Sequence, residues 1–162
     1  MIMKTLVAGF GNILLGDDGF GVEVVRRFVA RGVPESVDAV DVGIGGFDFV
    51  LKLMDGYEHV VIADLVHRGD IPGTLYVFAP DEAGTMPRAG DRIDPHIAEP
   101  SRAMKLARHL NVLPPAITIV GCEPASCEPG IGLSPRVAAG VMRAHDALHY
   151  VLTSCHTRIS RL

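Results

Sequence analysis

An apolar run, Leu6 to Ala8, passes into the segment Gly9-Phe10-Gly11-Asn12-Ile13-Leu14-Leu15-Gly16-Asp17-Asp18-Gly19-Phe20-Gly21, which opens a helix-like pattern from Val22 to Phe28. A strand that turns through glycines into a helix is the repeating unit of an α/β sheet. Glycines at such a turn ordinarily let backbone N–H groups approach a phosphate. Two adjacent carboxylates at the helix entrance argue the other way, because they repel an anion and attract a cation. The charge points to metal chemistry and away from nucleotide binding.

The rest of the chain repeats the alternation. Val22, Val24, Val25 and Phe28 share a helix face that ends near Gly32. Val37–Val42 reads as a second strand, with Gly43, Gly45 and Gly46 behind it. Phe49, Val50 and Leu53 mark a short helix closed by Gly56. His59–Ala63 is a third strand, closed by Asp64. Pro72-Gly73 leads into a fourth, Thr74–Phe78. Asp81 to Pro95 reads as a long surface loop. Ser101 is expected to cap a helix through Leu110, with Ala103, Leu106, Ala107 and Leu110 inward. Ala116–Val120 is the last strand, and Pro135 opens a final helix through about Leu152. This order predicts one three-layer α/β domain over residues 1–162, with a mainly parallel twisted sheet of about five strands and helices on both faces.

Composition narrows the function. The net charge of −4 on 162 residues offers no footprint for nucleic acid. No apolar stretch approaches the roughly 20 residues of a membrane span, and the residues before Gly9 do not make a secretory signal. The three cysteines, Cys122, Cys127 and Cys155, lack CxxC spacing and read as small buried or loop residues. A cytoplasmic protein is expected, without a membrane partner and without an organic cofactor. The glycine segment lacks the third glycine of a dinucleotide fingerprint, where Leu14 stands instead. It also lacks the lysine of a phosphate-binding loop, and no G-x-S-x-G is present.

In open α/β sheets, sites form beyond the carboxyl ends of the strands. Three segments arrive there: Asn12–Asp18, Asp41–Gly46 and Asp64–Gly69. Asp17 reads as a helix cap. Asp18 suits either the helix dipole or a site. Asp64 follows Val60-Val61-Ile62-Ala63, where a lone charge needs a partner. His96 follows Pro95 at the end of the long loop. Two carboxylates and one imidazole with open positions suit a divalent transition metal. His145 and His149 have i, i+4 spacing but no accompanying carboxylate motif, so a helix surface is the reading there.

Five blocks in order resemble the hydrogenase maturation proteases, which process the large subunit of nickel–iron hydrogenases. They are Gly9-x-Gly11-Asn12-x-Leu14-x-x-Asp17-Asp18-x-x-Gly21; Asp41-x-Gly43-Ile44-x-Gly46; Val61-Ile62-Ala63-Asp64 with Pro72-Gly73-Thr74; Pro95-His96; and Gly121-x-Glu123-Pro124 with Gly132-Leu133-Ser134-Pro135-x-Val137. The resemblance spans nearly the whole chain. It implies an aspartic-type or metal-assisted endopeptidase that removes a C-terminal extension from the nickel-loaded precursor. Nickel would come with the substrate and serve as the recognition signal. The ligating and catalytic trio falls on Asp18, Asp64 and His96, with Asp41 and Gly43 in substrate recognition. The protease is expected to work as a monomer or weak oligomer with that precursor as partner. The alternatives are a non-catalytic metal-checking chaperone of the same precursor and a small-molecule metal hydrolase.

Overall fold

A computed structural model describes residues 3–80 and 95–159, without the side chains of 95–99 and 155–159. The strands are β1 (Thr5–Phe10), β2 (Val37–Gly43), β3 (His59–Leu65), β4 (Leu75–Phe78) and β5 (Ala116–Cys122). The helices are α1 (Phe20–Arg31), α2 (Gly46–Leu53), α3 (Pro95–His109) and α4 (Pro135–Ile159). One turn of 3-10 helix, Gly16–Gly19, precedes α1 directly.

The sheet order is β2-β1-β3-β5-β4. The first four strands in that order are parallel, and β4 runs antiparallel along β5 at the edge. Alternation along the strands divides the core in two. Val7, Val61, Ala63, Leu65 and Val120 pack with α1 and α4. Leu6, Ala8, Phe10, Val60, Ile62 and Ile119 pack with α2 and α3. The three-layer α/β reading holds, including all four residues assigned to the inner face of α1.

Two glycines set how closely α1 approaches the sheet. A Cβ on Gly21 would overlap the carbonyl oxygens of Ala63 and Phe10, and a Cβ on Gly9 would overlap the carbonyl of Gly21. Only hydrogen fits at either position. The start of α1 is thereby held against the carboxyl ends of β1 and β3, where the first predicted site loop begins.

Four local expectations are corrected. The helix assigned to Ser101 begins instead at Pro95 and carries Pro100 inside it, so Ser101 is not its cap. Serine is a favoured N-cap residue, which is why the sequence suggested a later start. The inward face of α3 is Pro100, Ala103, Met104 and Ala107, whereas Leu106 and Leu110 are exposed. Asp64 lies inside β3, since Leu65 still pairs with Cys122. His145 is buried in the α1–α4 layer, its ring 6.1 Å from that of Phe28, and burial lowers its pKa. The loop predicted from Asp81 lies, up to Asp94, outside the described residues, as does the side chain of Cys155.

Gly21→Ala should destabilise the protein by about 3 kcal/mol, the upper range for overpacking a closed site. Gly56 has φ +75° but nothing within 4 Å of an added Cβ. Gly56→Ala should therefore cost only the backbone penalty, about 1–2 kcal/mol. Urea unfolding midpoints measure both, and equal losses would show that the contact at Gly21 is not tight.

Candidate active site

The loops beyond β1, β2 and β3 meet at one rim of the sheet. Gly11 N donates to Gly43 O at 2.9 Å, which stitches the first loop to the second. Gly43 has φ +56°, a conformation glycine adopts without strain, and it sits at a register shift between β1 and β2. The 3-10 turn that carries Asp17 and Asp18 packs against β3, the strand that carries Asp64. Two of the three predicted ligands therefore come from neighbouring segments of the same rim.

Asp17, Asp18, Asp64 and Glu123 are all buried, and their partners divide them into two kinds. Asp17 accepts from Ala125 N (2.8 Å), Ser126 N (3.1 Å), Ser134 N (2.6 Å) and Ser134 Oγ (2.9 Å). Its own N–H donates to Ser126 O at 3.1 Å. Asp17 does not cap a helix, as the sequence had suggested. It ties the first loop to the one between β5 and α4.

Glu123 plays a similar part on the other flank. It accepts from Arg68 N at 2.8 Å and Gly69 N at 3.1 Å, with Tyr76 OH 2.9 Å away. Its backbone N–H donates to Thr74 O, and its carbonyl accepts from Gly73 N. Burial works to raise its pKa, but the hydrogen bonds from Arg68 N, Tyr76 and Gly69 N outweigh it. The carboxyl is held below its usual value. Sequence reasoning placed Glu123 in a motif without giving it a role. Its donors lie 47 to 55 positions away, so no local pattern could reveal them.

Asp18 and Asp64 are held from nearer by. Asp18 Oδ2 accepts from Asn12 N at 2.8 Å, and Asp64 Oδ1 accepts from Leu65 N at 2.8 Å. Those bonds orient each carboxylate within its own segment.

By strand alternation Asp64 shares the face of Val60 and Ile62, beneath α3. A cavity of about 240 Å3 opens there, between Asp64, the loop at residues 66–68 and Pro100, Ser101 and Met104 of α3. His96 stands in the first turn of α3, one turn before Pro100, and not on a loop as expected. Its side chain lies outside the described residues. No group of three metal-ligating side chains occurs among the described residues. A larger hollow, about 560 Å3, lies at the opposite end of β5 against Ala79, Arg108 and Ile117, and borders neither Asp18 nor Asp64.

Asp41 is exposed and pairs with Arg26 at 3.1 Å. Both groups are well solvated, and such pairs contribute little, about 0–1 kcal/mol. Asp41 can therefore exchange its partner at small cost. Cys122 is buried and its thiol is pushed up to about 12 by that burial, which disfavours a thiolate at neutral pH. His59 is also buried, bonded to Thr118 Oγ1 at 2.9 Å, with its pKa lowered by burial. It is a neutral core histidine. No helix among the described residues is long and apolar enough to cross a membrane.

This three-layer fold is shared with solved hydrogenase maturation peptidases. The hydrogenase maturating endopeptidase HybD of Escherichia coli superposes with a TM-score of 0.81, at 31% identity and 94% coverage of both chains. The [NiFe] hydrogenase maturation protease HybD of Thermococcus kodakarensis gives 0.77 at 27% identity, covering 93% of this chain and 99% of that one. In sequence, the chain is 34% identical to the hydrogenase 2 maturation protease of E. coli K12, over 94% of its own length and 90% of the relative. Residues 22–150 match the family described as hydrogenase maturation protease (HycI). The chain belongs to the hydrogenase maturation proteases.

Two outcomes test the two structural carboxylates. Asp17→Ala removes the shared acceptor of four part-buried hydrogen bonds and should cost about 3 kcal/mol or more, against about 1 kcal/mol for Ser134→Ala; equal small losses in urea unfolding would contradict the clamp. Glu123 has a folded pKa below its usual 4.5, so the unfolded chain binds the proton first as pH falls. Its contribution is complete above 4.5 and is lost on acidification toward the folded value. Unfolding free energy should therefore fall more steeply below pH 4.5 in the wild type than in Glu123→Gln. Parallel profiles would contradict the role.

Proposed function

We propose that this protein is the endopeptidase that removes a C-terminal extension from the nickel-loaded precursor of a nickel–iron hydrogenase large subunit. One observation carries the reading: two buried carboxylates, Asp18 and Asp64, stand at one rim of the sheet in a chain that belongs to this protease family. Asp18, Asp64 and His96 take the open positions of the precursor's nickel. Two oxygens and one nitrogen suit that ion. Since the ion arrives with the substrate, it acts as the recognition signal and fixes the tail beside Asp64.

Holding the scissile peptide in place supplies much of the catalysis, up to roughly 7–11 kcal/mol in the best intramolecular cases. One of the two carboxylates then deprotonates the attacking water, unless the metal itself activates it. Asp41 and Gly43, at the end of the neighbouring strand, form the recognition edge. Asp41 gives up its solvated pair with Arg26 to meet the precursor. In this reading the protein works in the cytoplasm.

The experiment is incubation with the nickel-loaded precursor, followed by mass spectrometry for loss of the C-terminal peptide. The wild type should cleave it and leave a nickel-free precursor intact. Asp64→Asn should lower kcat/KM about a hundredfold or more, with the unfolding midpoint little changed. If that variant still captures the nickel-loaded precursor, the carboxylate is the base; if capture is also lost, it is a ligand. Complex formation by the wild type without any mass change would favour a metal-checking chaperone. Full activity of the Asp64→Asn, His96→Ala double variant would overturn the reading.

A further inference from the structure

The cavity beside Asp64 is built for more than a metal. Ile62, Phe78, Met104 and Ile119 line it with apolar surface, and Asp64 forms part of the same wall. Its volume of about 240 Å3 exceeds the roughly 150 Å3 in which an apolar protein cavity takes up benzene. One large side chain fits.

Arg68 also lines the cavity. Its guanidinium carbon lies 4.6 Å from the ring centroid of Tyr76 and 4.5 Å from that of Phe78. Arg68 is exposed and forms no ion pair among the described residues. The loop beneath it is fixed, because Glu123 holds the N–H groups of Arg68 and Gly69. With Asp64 engaged by the precursor's metal, an entering Lys or Arg side chain would meet the Arg68 guanidinium and find no partner, and the apolar walls disfavour a charge left unpaired.

We propose that this cavity is a specificity subsite, and that its occupant is one uncharged apolar side chain of the precursor tail, on a residue flanking the scissile peptide. The inference rests on the processing reading above. Consecutive Cα atoms are 3.8 Å apart, so a peptide held at Asp64 presents a flanking side chain to a cavity that Asp64 itself lines. The subsite would give the tail a register, which metal capture alone does not supply.

The test is a size exchange with the nickel-loaded precursor. The residues on either side of the scissile bond are replaced one at a time by Gly, Ala, Leu, Phe and Lys. Wild-type kcat/KM should rise at least tenfold from Gly to Leu at one of the two positions and fall at least tenfold from Leu to Lys there. Ser101→Phe, which fills the cavity from α3, should cut kcat/KM for the Leu precursor at least tenfold and restore relative preference for Gly or Ala. Thermal unfolding checks that this variant is folded; if it is not, the wild-type series decides by itself. A wild type that cleaves all five precursors within threefold at both positions overturns the subsite and leaves the processing reading intact. So does a folded Ser101→Phe whose preference is unchanged. A wild type that cleaves none overturns the processing reading, and the subsite with it.

Discussion

The structure depends on the close approach of α1 to the ends of β1 and β3. At Gly21 the helix backbone lies against two strand carbonyls, and at Gly9 the strand lies against the helix in return. A side chain at either position would push α1 outward. The 3-10 turn before α1 would move with it, and that turn carries both Asp17 and Asp18. The glycines of the first loop thus serve backbone packing and the aim of a carboxylate. That is why the segment looks like a phosphate cradle without its chemistry being that of one.

The rim concentrates buried carboxylates, an arrangement that is costly unless each one is satisfied. Asp17 and Glu123 are satisfied by protein donors drawn from distant loops. Their work is architectural: one joins the loop before α4 to the loop before α1, and the other fixes the loop after β3. Asp18 and Asp64 are instead oriented by N–H groups of their own segments. Two clamped carboxylates therefore brace the rim on which Asp18 and Asp64 stand.

Periodicity made most of the fold legible. The α1 face, the strand cores and the start of α4 at Pro135 all follow from local spacing of apolar residues and from proline and glycine signals. The exceptions have physical causes. Ser101 reads as a cap because its side chain favours that position, yet α3 begins at Pro95 and runs through Pro100. Leu106 and Leu110 looked inward by hydrophobicity, while the smaller Ala103 and Ala107 are the residues that pack. In the site, charge and position singled out Asp18 and Asp64. The roles of Asp17 and Glu123 were not legible, because their partners are set by tertiary contacts between loops. The cavity was equally hidden, since its walls come from β3, β4, β5 and α3.

The parity of β3 explains how one rim can be both rigid and accessible. Asp64 belongs with Val60 and Ile62 on the α2 and α3 side. The clamp at Asp17 closes onto residues 125, 126 and 134, which lead into α4 on the opposite side. The first loop therefore bridges the edge of the sheet: it is anchored towards α4, while the strand beside it presents Asp64 towards α3. Because anchor and cavity lie on opposite faces, the donors that saturate Asp17 do not compete for the space beside Asp64. A rim braced from the far side can keep a buried carboxylate next to a cavity without collapsing into it.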